Sequence, residues 1–211
     1  MTFLRACLAV LVLVACAGRP RVALAQAVSG AMHHPDRHAE SARDGVYDRF
    51  DGDLDLGLAL GAEFGSGRVA PVLRGTAHYF SVAGVYALGR VRAGNDSARS
   101  LLGVGVDLRP LFLPRWAKGF ETGPAFFDLT LDSLSLSLGA FWAASLPRGP
   151  DAARGFEAAL GFGVPLFSTA GGPWLEARGA LRYPGAEPRE EAVLVALSWH
   201  GFVTTPLISA D

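Results

Sequence analysis

The chain has 211 residues, half of them hydrophobic and 18% charged, with a formal net charge of −1. Ordinary soluble domains carry roughly 25% charged residues, so this chain must bury an unusually large core or face something other than water. Without a basic tract it has no electrostatic basis for a nucleic-acid partner, and no internal stretch reaches the ~18 uninterrupted apolar residues of a membrane-spanning helix.

Residues 1–25 read as a signal peptide. Arg5 supplies the positive start and Ala6 to Ala17 an apolar stretch too short to cross a bilayer as a helix. Ala23-Leu24-Ala25 offers small-x-small cleavage, leaving Gln26 first, whereas Leu13-Val14-Ala15-Cys16 resembles a lipobox that would lipidate Cys16. Cleavage at Ala25 is preferred, since a barrel needs no second anchor. The only other cysteine is Cys7, so the mature chain would hold no disulfide.

Residues 26–50 are polar and irregular, a periplasmic linker or loosely ordered plug. His33, His34, Asp36 and His38 fall there, but their spacing matches no standard metal site, and no metal or cofactor is expected. Asp51, Asp53 and Asp55 imitate the start of a calcium loop, yet Leu56 and Ala62 stand where Gly and Glu are required.

Eight alternating segments follow. The first, about 53–64, places Leu54, Leu56, Leu58, Leu60, Ala62 and Phe64 on one face and Asp53, Asp55, Gly57, Ala59, Gly61 and Glu63 on the other. The second spans about 69–80, with Arg74, Thr76 and His78 opposite Val69, Leu73 and Tyr79; the third spans about 83–92. The fourth, about 100–112, sets Gly103, Gly105, Asp107 and Arg109 against Leu102, Val104, Val106 and Leu108. Pro110 to Pro124 is the longest interruption, with room for one helical turn. The fifth, about 127–142, slips phase between Leu131 and Leu134, as a β-bulge near Asp132-Ser133 would do. The sixth, seventh and eighth cover about 155–167, 173–183 and 191–202. The intervening Pro- and Gly-rich stretches are turn chemistry.

Eight strands close into a barrel whose interior side chains just fill. Which face points inward follows from the polar one. Glycine on a water-facing strand packs nothing, but Gly57, Gly61, Gly103, Gly105, Gly161 and Gly163 suit a cramped lumen. The charges on that face, Asp53, Asp55, Glu63, Arg74, Asp107, Arg109, Glu157, Glu176, Arg178 and Arg182, carry both signs and are expected to pair there with His78. The apolar face gathers Tyr79, Phe112, Phe141, Trp142, Phe167, Trp174, Tyr183, Trp199 and Phe202 near segment ends, as interfacial girdles would. The fold class expected is all-β, an eight-stranded antiparallel up-and-down transmembrane β-barrel over 51–203, with a tail at 204–211.

On these features the chain resembles the small eight-stranded outer-membrane barrels of Gram-negative bacteria, over about 53–202. Its last strand, Ala192 to Phe202, looks like the C-terminal signal read by the barrel-insertion machinery, although Val203 to Asp211 follow it. The resemblance implies an outer-membrane location, with membrane lipids and the insertion machinery as partners. With both termini in the periplasm, the longest connection would also face the periplasm. The expected role is non-enzymatic: envelope structure, adhesion or interaction. One alternative is a soluble or lipid-anchored periplasmic barrel binding an apolar ligand. A second is an outer-membrane lipid hydrolase using Ser198 and His200, with Glu190 or Glu191 as the acid.

Overall fold

The computed structural model describes Arg49 and residues 52–65, 67–93, 98–120, 124–146, 153–185 and 188–205. The signal segment, Cys16, the histidines of the 26–50 stretch and the tail beyond Thr205 lie outside the described residues. Eight strands form one closed antiparallel barrel in sequence order: β1 (Leu54–Gly65), β2 (Arg68–Tyr79), β3 (Ala83–Ala93), β4 (Ala98–Leu108), β5 (Ser135–Leu146), β6 (Ala153–Pro165), β7 (Gly172–Pro184) and β8 (Glu190–Val203). The seam runs the full length of β1, from Leu54 opposite Val203 to Gly65 opposite Ala192. Closure leaves no sheet edge unpaired.

One rim carries the hairpins after β1, β3, β5 and β7. The other, the terminal rim, carries the start of β1, the end of β8 and the connections after β2, β4 and β6. The turn after β2 is tight: Val82 donates its N–H to the Tyr79 carbonyl (3.1 Å), and Phe80 and Ser81 adopt φ of +47° and +54°.

The fifth segment departs from expectation. Residues 125–132 are helical, and the phase slip marks a change from helix to strand, not a bulge. Two helices occupy the connection after β4: α1 (Phe112–Lys118) and α2 (Ala125–Asp132). β4 stops at Leu108 because Pro110 has no N–H to continue the ladder. Pro114 is tolerated in the first turn of α1, and Gly119 ends that helix at φ +62°. α2 starts after Pro124, and Ser133 closes it, its Oγ donating to the Thr130 carbonyl (2.7 Å) and accepting the Gly163 N–H (2.8 Å).

The alternation sorts the wall as the first segment predicts: Leu58, Leu60 and Phe64 are exposed, while Asp55, Ala59 and Glu63 are buried. The aromatics divide differently. Tyr79, Trp142, Phe167, Tyr183 and Trp199 are exposed, but Phe112, Phe141 and Trp174 are buried and Phe202 half-buried. The lumen is therefore not uniformly polar. Val72, Leu88, Leu101, Phe141 and Leu194 form an apolar cluster inside it.

Candidate functional site

The lumen holds two charged networks, each built by side chains that reach across strands whose inward positions are small. Near the hairpin rim, Arg182 on β7 is fully buried and donates Nη1 and Nη2 to both carboxylate oxygens of Glu63 (2.8 and 2.7 Å). Its Nε donates to Glu157, directly opposite on β6 (2.6 Å). Glu157 also accepts from Arg178 (2.7 Å), and Arg90 bridges Glu63 and Glu190. A bidentate guanidinium–carboxylate pair is among the stronger polar contacts available, and here every charge has a counter-charge.

Around the terminal half, Asp107 accepts from His78 Nε2 (2.8 Å), from Arg74 (3.3 Å) and from Ser137. His78 reaches it across Gly84, which lies between them in the sheet. Asp55 accepts from Arg109 (2.8 Å), and Arg74 also donates to Glu176 (3.2 Å). His200 sits between two carboxylates, Nδ1 3.1 Å from Asp55 and Nε2 3.1 Å from Glu176.

Tyr86 joins the halves. Its row in the barrel reads Tyr86, Gly105, Gly139, Glu157 across β3 to β6. The ring lies over the two glycines, and its hydroxyl donates to Glu157 (3.0 Å). A Cβ on Gly139 would stand 2.4 Å from that hydroxyl and 2.4 Å from the Val104 carbonyl. The Arg178 and Arg74 guanidiniums lie 4.9 and 5.5 Å from the ring centroid, so one cation from each network stacks on the same aromatic. Of the two glycines that form this tyrosine slot, Gly105 is among those the sequence places in the lumen and Gly139 is not.

A third cluster closes the terminal rim. Arg49 donates to Asp132 (3.1 Å) and to the Leu129 carbonyl (3.3 Å), and its guanidinium lies 4.9 Å from the Phe112 ring. Arg115 holds both Asp128 and Asp132. Burial pushes the Arg49 guanidinium down to about 10, with Asp132 opposing the shift. Leu129 packs on Ala170 and Trp174, whose Nε1 donates to the Ala170 carbonyl (3.0 Å). What remains beneath this cap is a cavity of about 30 Å³ bordered by Asp55, Arg74, Asp107, Glu176 and His200, room for one or two water molecules.

Ten of the eleven charged or titratable residues expected in the lumenal network belong to these two networks. Asp53 does not: it precedes β1 and binds the Thr205 N–H (2.5 Å) and hydroxyl, clasping the start of β1 to the residues just after β8. Tyr86, Arg90, Glu190 and Arg49 were not foreseen as network members. Ser198 and His200 do share the lumenal face, but among the described residues no hydrogen bond joins the Ser198 hydroxyl to the His200 ring, and neither expected acid reaches that ring. His200 is engaged by Asp55 and Glu176, Glu190 by Arg90, and Glu191 by Arg189 (2.5 Å).

Among solved structures, the chain is similar to the N-terminal β-barrel domain of Pseudomonas aeruginosa OprF, at 11% identity and a TM-score of 0.41, covering 71% of this chain and 98% of that one. It is also similar to Ail, the attachment invasion locus protein of Yersinia pestis, solved with the heparin analogue sucrose octasulfate (9%, TM-score 0.37, 70% and 96% covered). A third is the outer membrane enzyme PagL (15%, TM-score 0.35, 71% and 99% covered). No family model and no curated protein matches.

Proposed function

We propose that the protein is an integral outer-membrane β-barrel with a non-enzymatic role, whose lumen is a sealed scaffold and whose working surface is its exterior. The observation that carries this is the outer wall. Among the described residues, the only charged side chains at outward strand positions are Arg154 and Glu191, both beside the hairpin rim. The rest is Leu, Val, Ala, Gly, Pro or aromatic, apart from Ser100, whose hydroxyl donates to the Ala144 carbonyl, while acids and guanidiniums are buried inside. Water around such a wall would meet apolar side chains on all eight strands, far beyond the patch a soluble monomer exposes. Twelve-residue strands such as β1, at about 3.4 Å per residue and about 40° tilt, give a band roughly 30 Å tall, matched to a bilayer.

The lumen supports the same reading. The cavity among its charged side chains is small, about 30 Å³, which suits neither an apolar ligand nor bulk solute flow. Catalysis through Ser198 and His200 would need a substrate to enter that interior, under the Arg49–Asp132 cap.

The test is membrane fractionation followed by electrophoresis of boiled and unboiled samples. Resistance to carbonate extraction, with faster migration before boiling, is the expected result. Release by salt or carbonate overturns the proposal. A Ser198→Ala variant with unaltered envelope lipids is expected, and altered lipid acylation would restore the hydrolase reading.

A further inference from the structure

The connection between β4 and β5 is built inside out, as the barrel is. α2 turns Asp128, Leu129 and Asp132 inward, where the two acids meet Arg115 and Arg49. Outward it presents Phe126, Phe127 and Leu131, with Phe127 59% exposed. α1 follows the same rule: Phe112 and Arg115 turn in, while Leu113, Trp116 and, one turn on, Phe120 turn out. A helix laid on a protein surface in water carries the reverse pattern, polar side out.

We infer that the α1–α2 connection lies in the interfacial layer of the lipid leaflet at the terminal rim, a foot that extends the barrel's lipid-facing surface. The inference rests on the membrane reading above. Lipid is the occupant because the apolar face runs on from the barrel's own. Only Ser133 and Leu134 separate α2 from β5, whose first outward residues are the exposed Leu136 and Leu138. Exposed Phe80 and Phe167 stand in the other two turns of that rim, and exposed Trp199 lies near it on β8, so the foot adds to aromatics already gathered at this rim. The charge also fits. Lys118, the chain's one lysine, is exposed beside this face with its Nζ 5.9 Å from the Phe120 ring centroid. A stem along apolar surface and an ammonium at headgroup level is how lysine sits at an interface. The arginine–aspartate cluster behind α2 holds the aromatics out, so they are presented by a fixed platform.

Quenching of tryptophan by bromine-labelled lipids tests this in the full chain reconstituted in phosphatidylcholine–phosphatidylglycerol vesicles. A W142F/W199F variant keeps Trp116 and the lumenal Trp174. A W116F/W199F variant keeps Trp142 on the barrel wall, and W116F/W142F/W199F gives the Trp174 background. Bromine near the glycerol end of the acyl chains is expected to remove about half of the Trp116 emission, and bromine near the chain ends distinctly less. Trp116 quenched by aqueous acrylamide but by no bromolipid, with Trp142 quenched by bromolipid, overturns the foot and leaves the barrel reading intact. Trp116 shielded from both quenchers means that protein covers it, which also overturns the foot. Trp142 untouched by bromolipid refutes the membrane reading and the foot with it. Phe127→Trp in the triple-substituted background repeats the test on α2, and the same shallow quenching is expected there.

Discussion

The two charged networks of the lumen solve one problem with different chemistry. At the hairpin end the cations are arginines throughout: Arg90, Arg178 and Arg182 against Glu63, Glu157 and Glu190. At the terminal end Arg74 and Arg109 face Asp55, Asp107 and Glu176, and two histidines complete the set. The first network is fixed charge, locked by forked geometry. In the second, His200 bridges Asp55 and Glu176 through its two ring nitrogens. Buried charge is tolerated where each ion is answered, by forked guanidiniums at one end and by arginine together with imidazole at the other.

Removing one ion should separate them. Arg182→Met leaves Glu63 and Glu157 facing each other without their shared cation, and should cost about 3–5 kcal/mol in urea unfolding of the detergent-solubilised barrel. Arg182→Lys, lacking the fork, should recover only part of this. A loss under 1 kcal/mol would mean that the hairpin network is decoration. At the other end, Asp55→Asn keeps an acceptor oxygen for Arg109 but takes away a charge, and about 2–3 kcal/mol is expected. Amide exchange should rise in the terminal halves of β1 and β8 only. Protection lost equally at both rims would dissolve the distinction between the networks.

Gly139→Ala attacks the link. The added methyl meets the Tyr86 hydroxyl and the Val104 carbonyl, so about 1–3 kcal/mol should be lost as the ring lifts from its slot. Arg182→Met and Asp55→Asn are expected to be non-additive with Tyr86 in place. In the Gly139→Ala background their effects should add within about 0.5 kcal/mol. The smallest effect concerns the seam. Hydrogen bonds from Thr205 hold the Asp53 carboxyl below its ordinary 3.8. A depressed folded value means that this contribution is complete above pH 3.8 and fades as pH falls through the lower folded value. Asp53→Asn should therefore flatten the acid limb of the stability profile and leave the neutral region nearly unchanged.

Much of this was legible along the chain, and some misreadings were avoidable. In β7, Glu176, Arg178 and Arg182 were assigned inward, and Trp174 shares their parity. Placing it with the outer aromatics broke the alternation that identified the strand. Phe141 and Trp142 are neighbours and could not share a face. β3 was a different matter. Its inward Gly84, Tyr86, Leu88 and Arg90 and its outward Ala83, Val85, Ala87 and Gly89 offer no clear contrast of polarity, so Tyr86 and Arg90 had no local signal. The stretch before β5 misled because Phe127, Leu129 and Leu131 alternate as a strand does, while Asp128 and Asp132, four apart on one helical face, point to the arginines of the cap.

What the sequence determined by itself was local: eight period-two segments, their turns, and a small, charged face set against a leucine face. Each of these is written in neighbouring residues. Only the tertiary structure decided which charge answers which, because the partners stand far apart in the chain. Glu63 and Arg182 are separated by 119 positions and Asp55 and His200 by 145. Closing the barrel brings such pairs within hydrogen-bond reach, and the low-dielectric interior then makes an unanswered charge too costly to keep.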